Sequence, residues 1–372
     1  MDKTTVDAVR NAHLHTSVAP SKVNLSEVIN MDILNDHVEN GVINKKYNDD
    51  KSLAIYKYGK ITGSVYPWDS TNILTRGLIV DTSTNEVVSR GFNKFFSSGQ
   101  YDYFFNIDID TNQQAITMPK EDGSLGIAYY HNGKWGIATP LSFYSDQAIH
   151  ATEMFNKMYG NVEPPQDGTT MLFEIISPEN RIVTTNYHGQ DKLVLVGGAD
   201  KYGKWVNPEN IDFDGERVST TSMKVQDILD YPDPENTQEG FVFYTEDGLL
   251  VKHKFDSYLF LHKAKYSITP ISVWESLYSG EYFDSVGKIP DEFQSDFISI
   301  GDKLIHKKDE IVYEVENYAK DVPRDTSRKD QVMWIQENVP KKFRGMVINS
   351  ALDDNSYLDS VWKMIRPNNN KM

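Results

Sequence analysis

The sequence predicts an α+β protein, with an antiparallel-sheet domain over residues 1–265 followed by a smaller, all-helical domain over 266–372. Three observations predict it. From about Lys51 to Lys254 the chain reads as short apolar runs separated by turn residues. Pairs of those runs flank tight polar turns, the mark of β-hairpins. After Lys265 the apolar residues recur every three to four positions instead, which is the period of a helix.

The elements follow in order. Leu78-Ile-Val80 and Glu86-Val-Val-Ser-Arg90 flank Thr82–Asn85, and Ile127–Tyr130 and Trp135–Ala138 flank His131-Asn-Gly133. Ser145 to Tyr159 has helical spacing, with Ala148, Ala151, Phe155 and Met158 expected on one buried face. Phe241–Tyr244 and Leu249–Lys252 flank Glu246-Asp-Gly248 as a further hairpin. Phe293, Phe297, Ile300, Leu304, Ile311, Val315 and Tyr318 mark helices in the C-terminal part, with a gap at Lys307-Lys308. Ser327-Arg-Lys-Asp330 reads as a helix start.

Composition narrows the function. The chain of 372 residues is 39% hydrophobic and carries 21 tyrosines, enough for a packed core. It has no cysteine, which excludes disulfides, thiolate zinc sites and a thiol nucleophile. No apolar run reaches membrane-spanning length and the first residues lack a signal peptide's hydrophobic stretch, so a cytoplasmic protein with no membrane partner is expected. A net charge of −16 argues against a nonspecific nucleic-acid coat, yet leaves room for a local groove that reads ends.

Charged residues set into apolar strands carry the chemistry, because such charges are costly unless paired or used. Lys120 stands in a polar turn, Thr117-Met-Pro-Lys-Glu-Asp-Gly-Ser124. A solvated loop lysine is one reading of it and a nucleophile the other. Glu174 lies within Leu172-Phe-Glu-Ile-Ile176, as a salt-bridged core acid or a ligand-binding one. Lys252 and Lys254 alternate with His253, so the two lysines share a strand face, exposed to solvent or turned to a phosphate. Glu239, on the facing arm, would put an acid beside two bases. If both lysines converge on Lys120, their charge and the loss of water disfavour its ammonium form, which is how a lysine becomes a nucleophile. Magnesium shares its oxygen ligands with substrate phosphates, so Glu239 need supply only one carboxylate. Phe96 either covers a purine or packs beside Phe92 and Phe95. His13 and His15 read as an exposed pair, and Arg324, Arg328, Lys329, Lys341, Lys342 and Arg344 as a solvated helix face or an RNA contact.

This ordered set resembles the covalent nucleotidyltransferases, and within them the phage-type RNA ligases of the T4 RNA ligase 1 family, over about Leu74 to Lys265. The resemblance implies an adenylyltransferase domain, with the C-terminal helices as an RNA-specificity module. It implies an ATP-dependent RNA ligase that joins 5′-phosphate and 3′-hydroxyl ends through lysyl-AMP and RNA-adenylate. In it Lys120 is the nucleophile, and Pro119, Glu121, Gly123 and Ser124 belong to its motif. Lys94 and Phe96 meet the phosphates and the adenine, Arg76 the phosphates, and Glu174 the ribose, with Ser177–Val183 extending that motif. Glu239, next to Gly240, is the magnesium-associated acid, Lys252 and Lys254 grip the α-phosphate, and Tyr258 is a further metal candidate. ATP, with magnesium or manganese, is the implied cosubstrate and metal. Single-stranded or nicked-loop RNA ends, in tRNA repair within a phage-infected bacterium, are the implied substrates of a monomeric enzyme. A basic residue that relatives carry after the first hairpin is replaced here by Ile137-Ala-Thr-Pro-Leu141. A DNA ligase, a capping guanylyltransferase and a catalytically silent RNA-binding relative share enough of the pattern to stand as alternatives.

Overall fold

The computed structural model describes residues 3–10, 20–177, 190–234, 238–259, 268–287, 289, 291–352 and 356–367. The chain divides into two compact units, Met1–His262 and Lys263–Met372. It is an α+β protein with antiparallel sheets and a helical C-terminal region.

Among the described residues the first unit holds three sheets. One is a four-stranded meander, β1 (Ile43–Tyr47), β2 (Leu53–Tyr58), β3 (Leu78–Asp81) and β4 (Val87–Arg90). The second runs β11 (Trp205–Val206), β10 (Lys192–Ala199), β9 (Thr170–Ile176), β7 (Ser124–His131), β8 (Lys134–Ala138). The third runs β12 (Thr221–Lys224), β6 (Gln114–Pro119), β13 (Gly240–Thr245), β14 (Leu250–Lys254), β5 (Phe96–Ser97). Neighbouring strands are antiparallel except β14 and β5, which are parallel. The expected hairpins form at Asn132-Gly133 and at Glu246–Gly248, because turn residues stand between runs that can pair.

Side-chain alternation along each strand distributes the core over both sheet faces. Between the second and third sheets lie Ile127, Leu172, Ile176 and Val194 against Met118 and Leu250, with Leu53, Ile55 and Ile79 of the meander closing the layer. The outer face of the second sheet packs Phe173 and Ile175 on the helix Asp146–Tyr159. The outer face of the third packs Phe241, Phe243 and Val251 on Tyr101, Phe105, Val225 and Ile228.

Ser145 caps the 146–159 helix by accepting from the Ala148 amide, as its sequence position suggests. Ala148, Ala151 and Phe155 are buried, but Met158 is 49% exposed. The stripe continues through Tyr159 instead, since four residues stay closer to one face than three after Phe155.

In the second unit, Asp291–Asp321 is one helix that runs unbroken through Lys307-Lys308. Its distal half, through Val315 and Ala319, packs on Ile335, Val339, Phe343, Val347 and Val361. Ser327 caps the helix Arg328–Asn338. Arg324 donates to the carbonyls of Ala351 and Ala319, and Arg344 to that of Val339, so both tie helix ends together. No helix among the described residues is long and apolar enough to cross a membrane. His13, His15 and the 178–183 part of the extended Glu174 motif lie outside the described residues.

Candidate active site

The site forms where β6 ends, at the rim of the layer between the second and third sheets. Pro119 closes β6 opposite Phe241, and the Lys120 amide donates to the Gly240 carbonyl at 2.8 Å. That bond fixes where the Lys120 side chain leaves the sheet. The turn then crosses to β7, whose Ser124 and Leu125 pair with Ile175 and Glu174 of β9. Gly123 is required at the crossing: a Cβ there would stand 2.4 Å from the Ile175 carbonyl and 3.1 Å from Glu174 Cγ. The lysine motif and the Glu174 strand are therefore in direct backbone contact.

Glu239 enters from the start of β13 and is 2% exposed. One of its oxygens, Oε1, lies 2.7 Å from Lys120 Nζ and 2.6 Å from Lys254 Nζ. The β13–β14 pairing sets this up by placing Lys254 opposite Gly240. At Gly240 φ is +149°, and a Cβ would lie 2.0 Å from the His253 carbonyl, so the two strands close here only around a glycine. Lys252, two residues back on the same face, is 7% exposed and pairs with Ser97. The solvent-exposed reading of these lysines is overturned. The Glu239 carboxylate joins Lys120 and Lys254, a counter-charge that the expectation of like charge pressing on Lys120 did not include.

Glu174 is half-buried, and burial pushes its carboxyl up to about 7. The Lys120 charge opposes that rise, the Glu239 and Glu121 charges add to it, and Arg76 opposes it again. These groups are thus electrostatic neighbours. The Arg76 guanidinium stacks on the Phe95 ring, 5.4 Å from its centroid, while its buried Nη1 has no hydrogen-bond partner among the described residues. A guanidinium donor left in that state suits an incoming anion.

Two expected roles are corrected. Phe96 is 1% exposed and lies among Trp68, Tyr101, Phe104 and Phe105, so its ring packs the core and offers no face to a purine. Lys94 covers it: its Nζ sits 4.3 Å from the Phe96 centroid and 5.6 Å from that of Trp68, and donates to the Phe95 carbonyl. Tyr258 is 1% exposed and donates to Asp122 Oδ1 at 3.0 Å, with Lys254 Nζ 5.0 Å from its ring centroid. That tyrosine positions Lys254 and the motif turn rather than facing a metal.

Asp122 and Trp68 were not legible as site neighbours. Asp122 is 2% exposed, but nothing in Glu-Asp-Gly marks the middle acid as the buried one. Trp68 adjoins Lys94 only through folding.

The chain belongs to the RNA ligase family. That family matches residues 74–268, which is 195 of the 372 residues and spans every site element from Arg76 to Tyr258. A protein described as a bifunctional polynucleotide kinase/RNA ligase, from Autographa californica nuclear polyhedrosis virus, is 28% identical over 242 residues. The match takes in 58% of this chain and 34% of that protein, so the chain spans about a third of this relative's length. The structure of a Naegleria gruberi RNA ligase with pyrophosphate is similar at 18% identity and a TM-score of 0.37, over 47% of this chain and 58% of that one. An archaeal ATP-dependent RNA ligase is similar at 10% identity and a TM-score of 0.43, over 75% and 78% of the two chains. Membership rests on the match over 74–268.

Proposed function

We propose that this RNA ligase family member is an ATP-dependent RNA ligase acting on single-stranded or nicked-loop ends, with Lys120 as its nucleophile. The observation that carries this is the Lys120–Glu239–Lys254 cluster. It sets a primary amine, a carboxylate able to take its proton, and a second cation at the end of one strand pair. An ammonium bonded to a carboxylate has no lone pair to offer. Lys120 must give up a proton and leave Glu239 before it attacks, and a nucleotide triphosphate competing for Lys254, Lys252 and Arg76 supplies the reason to rearrange.

In the first step Lys120 Nζ forms a bond to the α-phosphorus while the bond to the pyrophosphate oxygen breaks. The proton has Glu239 Oε1 within hydrogen-bonding reach. In the second, an RNA 5′-phosphate oxygen takes the AMP and Lys120 is released. In the third, an RNA 3′-hydroxyl attacks the 5′-phosphorus and AMP leaves. Phosphoryl chemistry asks mainly for positioning and neutralised charge, and Arg76, Lys94, Lys252 and Lys254 are the cations available for both.

The donor set suits a magnesium ion held chiefly by nucleotide oxygens and water. Among the described residues no three His, Asp or Glu side chains gather as a metal cage, and Glu239 is the carboxylate at the phosphate end. Such an ion would add further charge neutralisation. The helical unit from Lys263 onward is proposed to select the RNA. Of its expected contacts, Lys341 and Lys342 remain candidates, whereas Arg324 and Arg344 cap helices.

Intact-mass measurement after incubation with ATP and magnesium tests the reading. One added AMP per chain, mapped to Lys120, is expected. Adduct from GTP alone would favour a capping enzyme, preferential sealing of nicked DNA a DNA ligase, and no adduct at all a silent binding protein.

A further inference from the structure

The hairpin that opens the first sheet carries a charge and aromatic pattern that the adenylylation chemistry does not use. Residues 43–60 contain Lys45, Lys46, Lys51, Lys57 and Lys60 against Asp49 and Asp50, a local net charge of +3 in a chain of −16. Tyr47, Tyr56 and Tyr58 alternate with those lysines. Basic residues interleaved with aromatics are what a single-stranded nucleic acid requires, since cations meet the phosphates and rings stack on the bases.

The fold brings Lys45, Tyr47 and Tyr56 of this pattern together on one face of the hairpin. Lys45 pairs directly with Tyr56 across β1 and β2. Its Nζ lies 5.0 Å from the Tyr47 centroid and 5.2 Å from that of Tyr56. Burial opposes its charge, but hydrogen bonds to Tyr47 and Tyr56 together with the charges those tyrosines can carry raise its pKa above the usual lysine value. β1 is the outer strand of its sheet, and Tyr47 is 45% exposed. A second group lies further along β2. Lys57 lies over Tyr58 at 5.4 Å, Tyr58 meets Trp68 edge-on at 5.0 Å, and Trp68 adjoins Lys94. Lys45 and Tyr47 thus stand at the exposed sheet edge, while Tyr58, Trp68 and Lys94 form a separate run of ring and lysine contacts further along the hairpin.

We propose that the β1–β2 edge, through Tyr47 and Lys45, binds a single-stranded segment of the RNA substrate. The choice of RNA as occupant rests on the ligase reading, together with the charge complementarity of the edge.

The test measures binding of a fluorescent, 5′-phosphorylated oligoribonucleotide of about ten nucleotides to the full chain without ATP. Tyr47→Ala should weaken binding at least about fivefold, the effect of losing one stacked base, while Tyr47→Phe keeps the ring and binds within about twofold of the parent. Lys45→Ala should lower the slope of log affinity against log salt by about 0.7, one phosphate's worth on a single strand. Tyr103→Ala, at a tyrosine 78% exposed outside the hairpin, should change nothing. Unchanged binding in folded Tyr47→Ala and Lys45→Ala would overturn the proposal, as would a parent that binds no single strand. A parent that shows these binding effects but never acquires AMP on Lys120 would support the edge while removing the ligase reading.

Discussion

Lys120 and Lys254, 134 positions apart in the sequence, share a single oxygen of Glu239. Neither lysine is placed by its own strand alone. Lys120 is fixed by its amide bond to Gly240, and Lys254 by its register opposite that same glycine.

The first prediction concerns that shared acid. Glu239→Gln should lower lysyl-AMP formation by on the order of a hundredfold or more, through loss of the group that takes the Lys120 proton. It should also destabilise the fold by up to about 3–5 kcal/mol, because two converging ammoniums lose their counter-charge. Adding Lys120→Met to Glu239→Gln should restore part of that stability, since one of the two ammoniums is then gone. Urea denaturation of the two single variants and the double variant measures the coupling. Strict additivity would show that the ion pair contributes nothing.

Lys120→Ala separates the chemical steps. The amine attacks only in the first, so ATP-dependent joining should fall by several orders of magnitude. Sealing of RNA that already carries a 5′-adenylate should remain measurable, as Lys252, Lys254 and Glu239 are still in place. Gel-based ligation of both substrates checks this. Activity with ATP equal to the parent's would sink the mechanism.

Glu174 gives a prediction for pH. Its folded carboxyl is raised to about 7 from the usual 4.5, chiefly by burial, so the folded protein binds this proton more tightly than the unfolded chain does. Its favourable contribution is complete below about 4.5 and is lost as pH rises through about 7. Glu174→Gln, which keeps the shape without the charge, should therefore gain stability relative to the parent at pH 8, with a ceiling on the order of 3 kcal/mol, and gain little at pH 5. Denaturation midpoints at the two pH values decide it. An equal effect at both would mean that the carboxyl is not the titrating group.

Tyr258→Phe distinguishes a structural tyrosine from a metal ligand. The variant removes one hydrogen bond to the buried Asp122, which should cost about 1–3 kcal/mol. The magnesium concentration for half-maximal adenylylation should stay unchanged. A shifted metal requirement with unaltered stability would return Tyr258 to the metal site.

The sequence by itself determined the hairpins, the 146–159 helix and the helical character of the C-terminal part. Those are local properties: turn residues, alternation and helical period are written in neighbouring positions, and the parity of Lys252 and Lys254 follows from the strand alone. What lay beyond it depended on contacts between distant segments. Phe96 and its neighbours read as equally aromatic, and only packing against Trp68, Phe104 and Phe105 decided that the ring faces inward. Asp122 became a buried acid because Tyr258, 136 residues later, reaches it. Burial and pairing are set by what the rest of the chain brings to a residue, so the tertiary structure alone decided that Glu239 stands between two lysines rather than beside them.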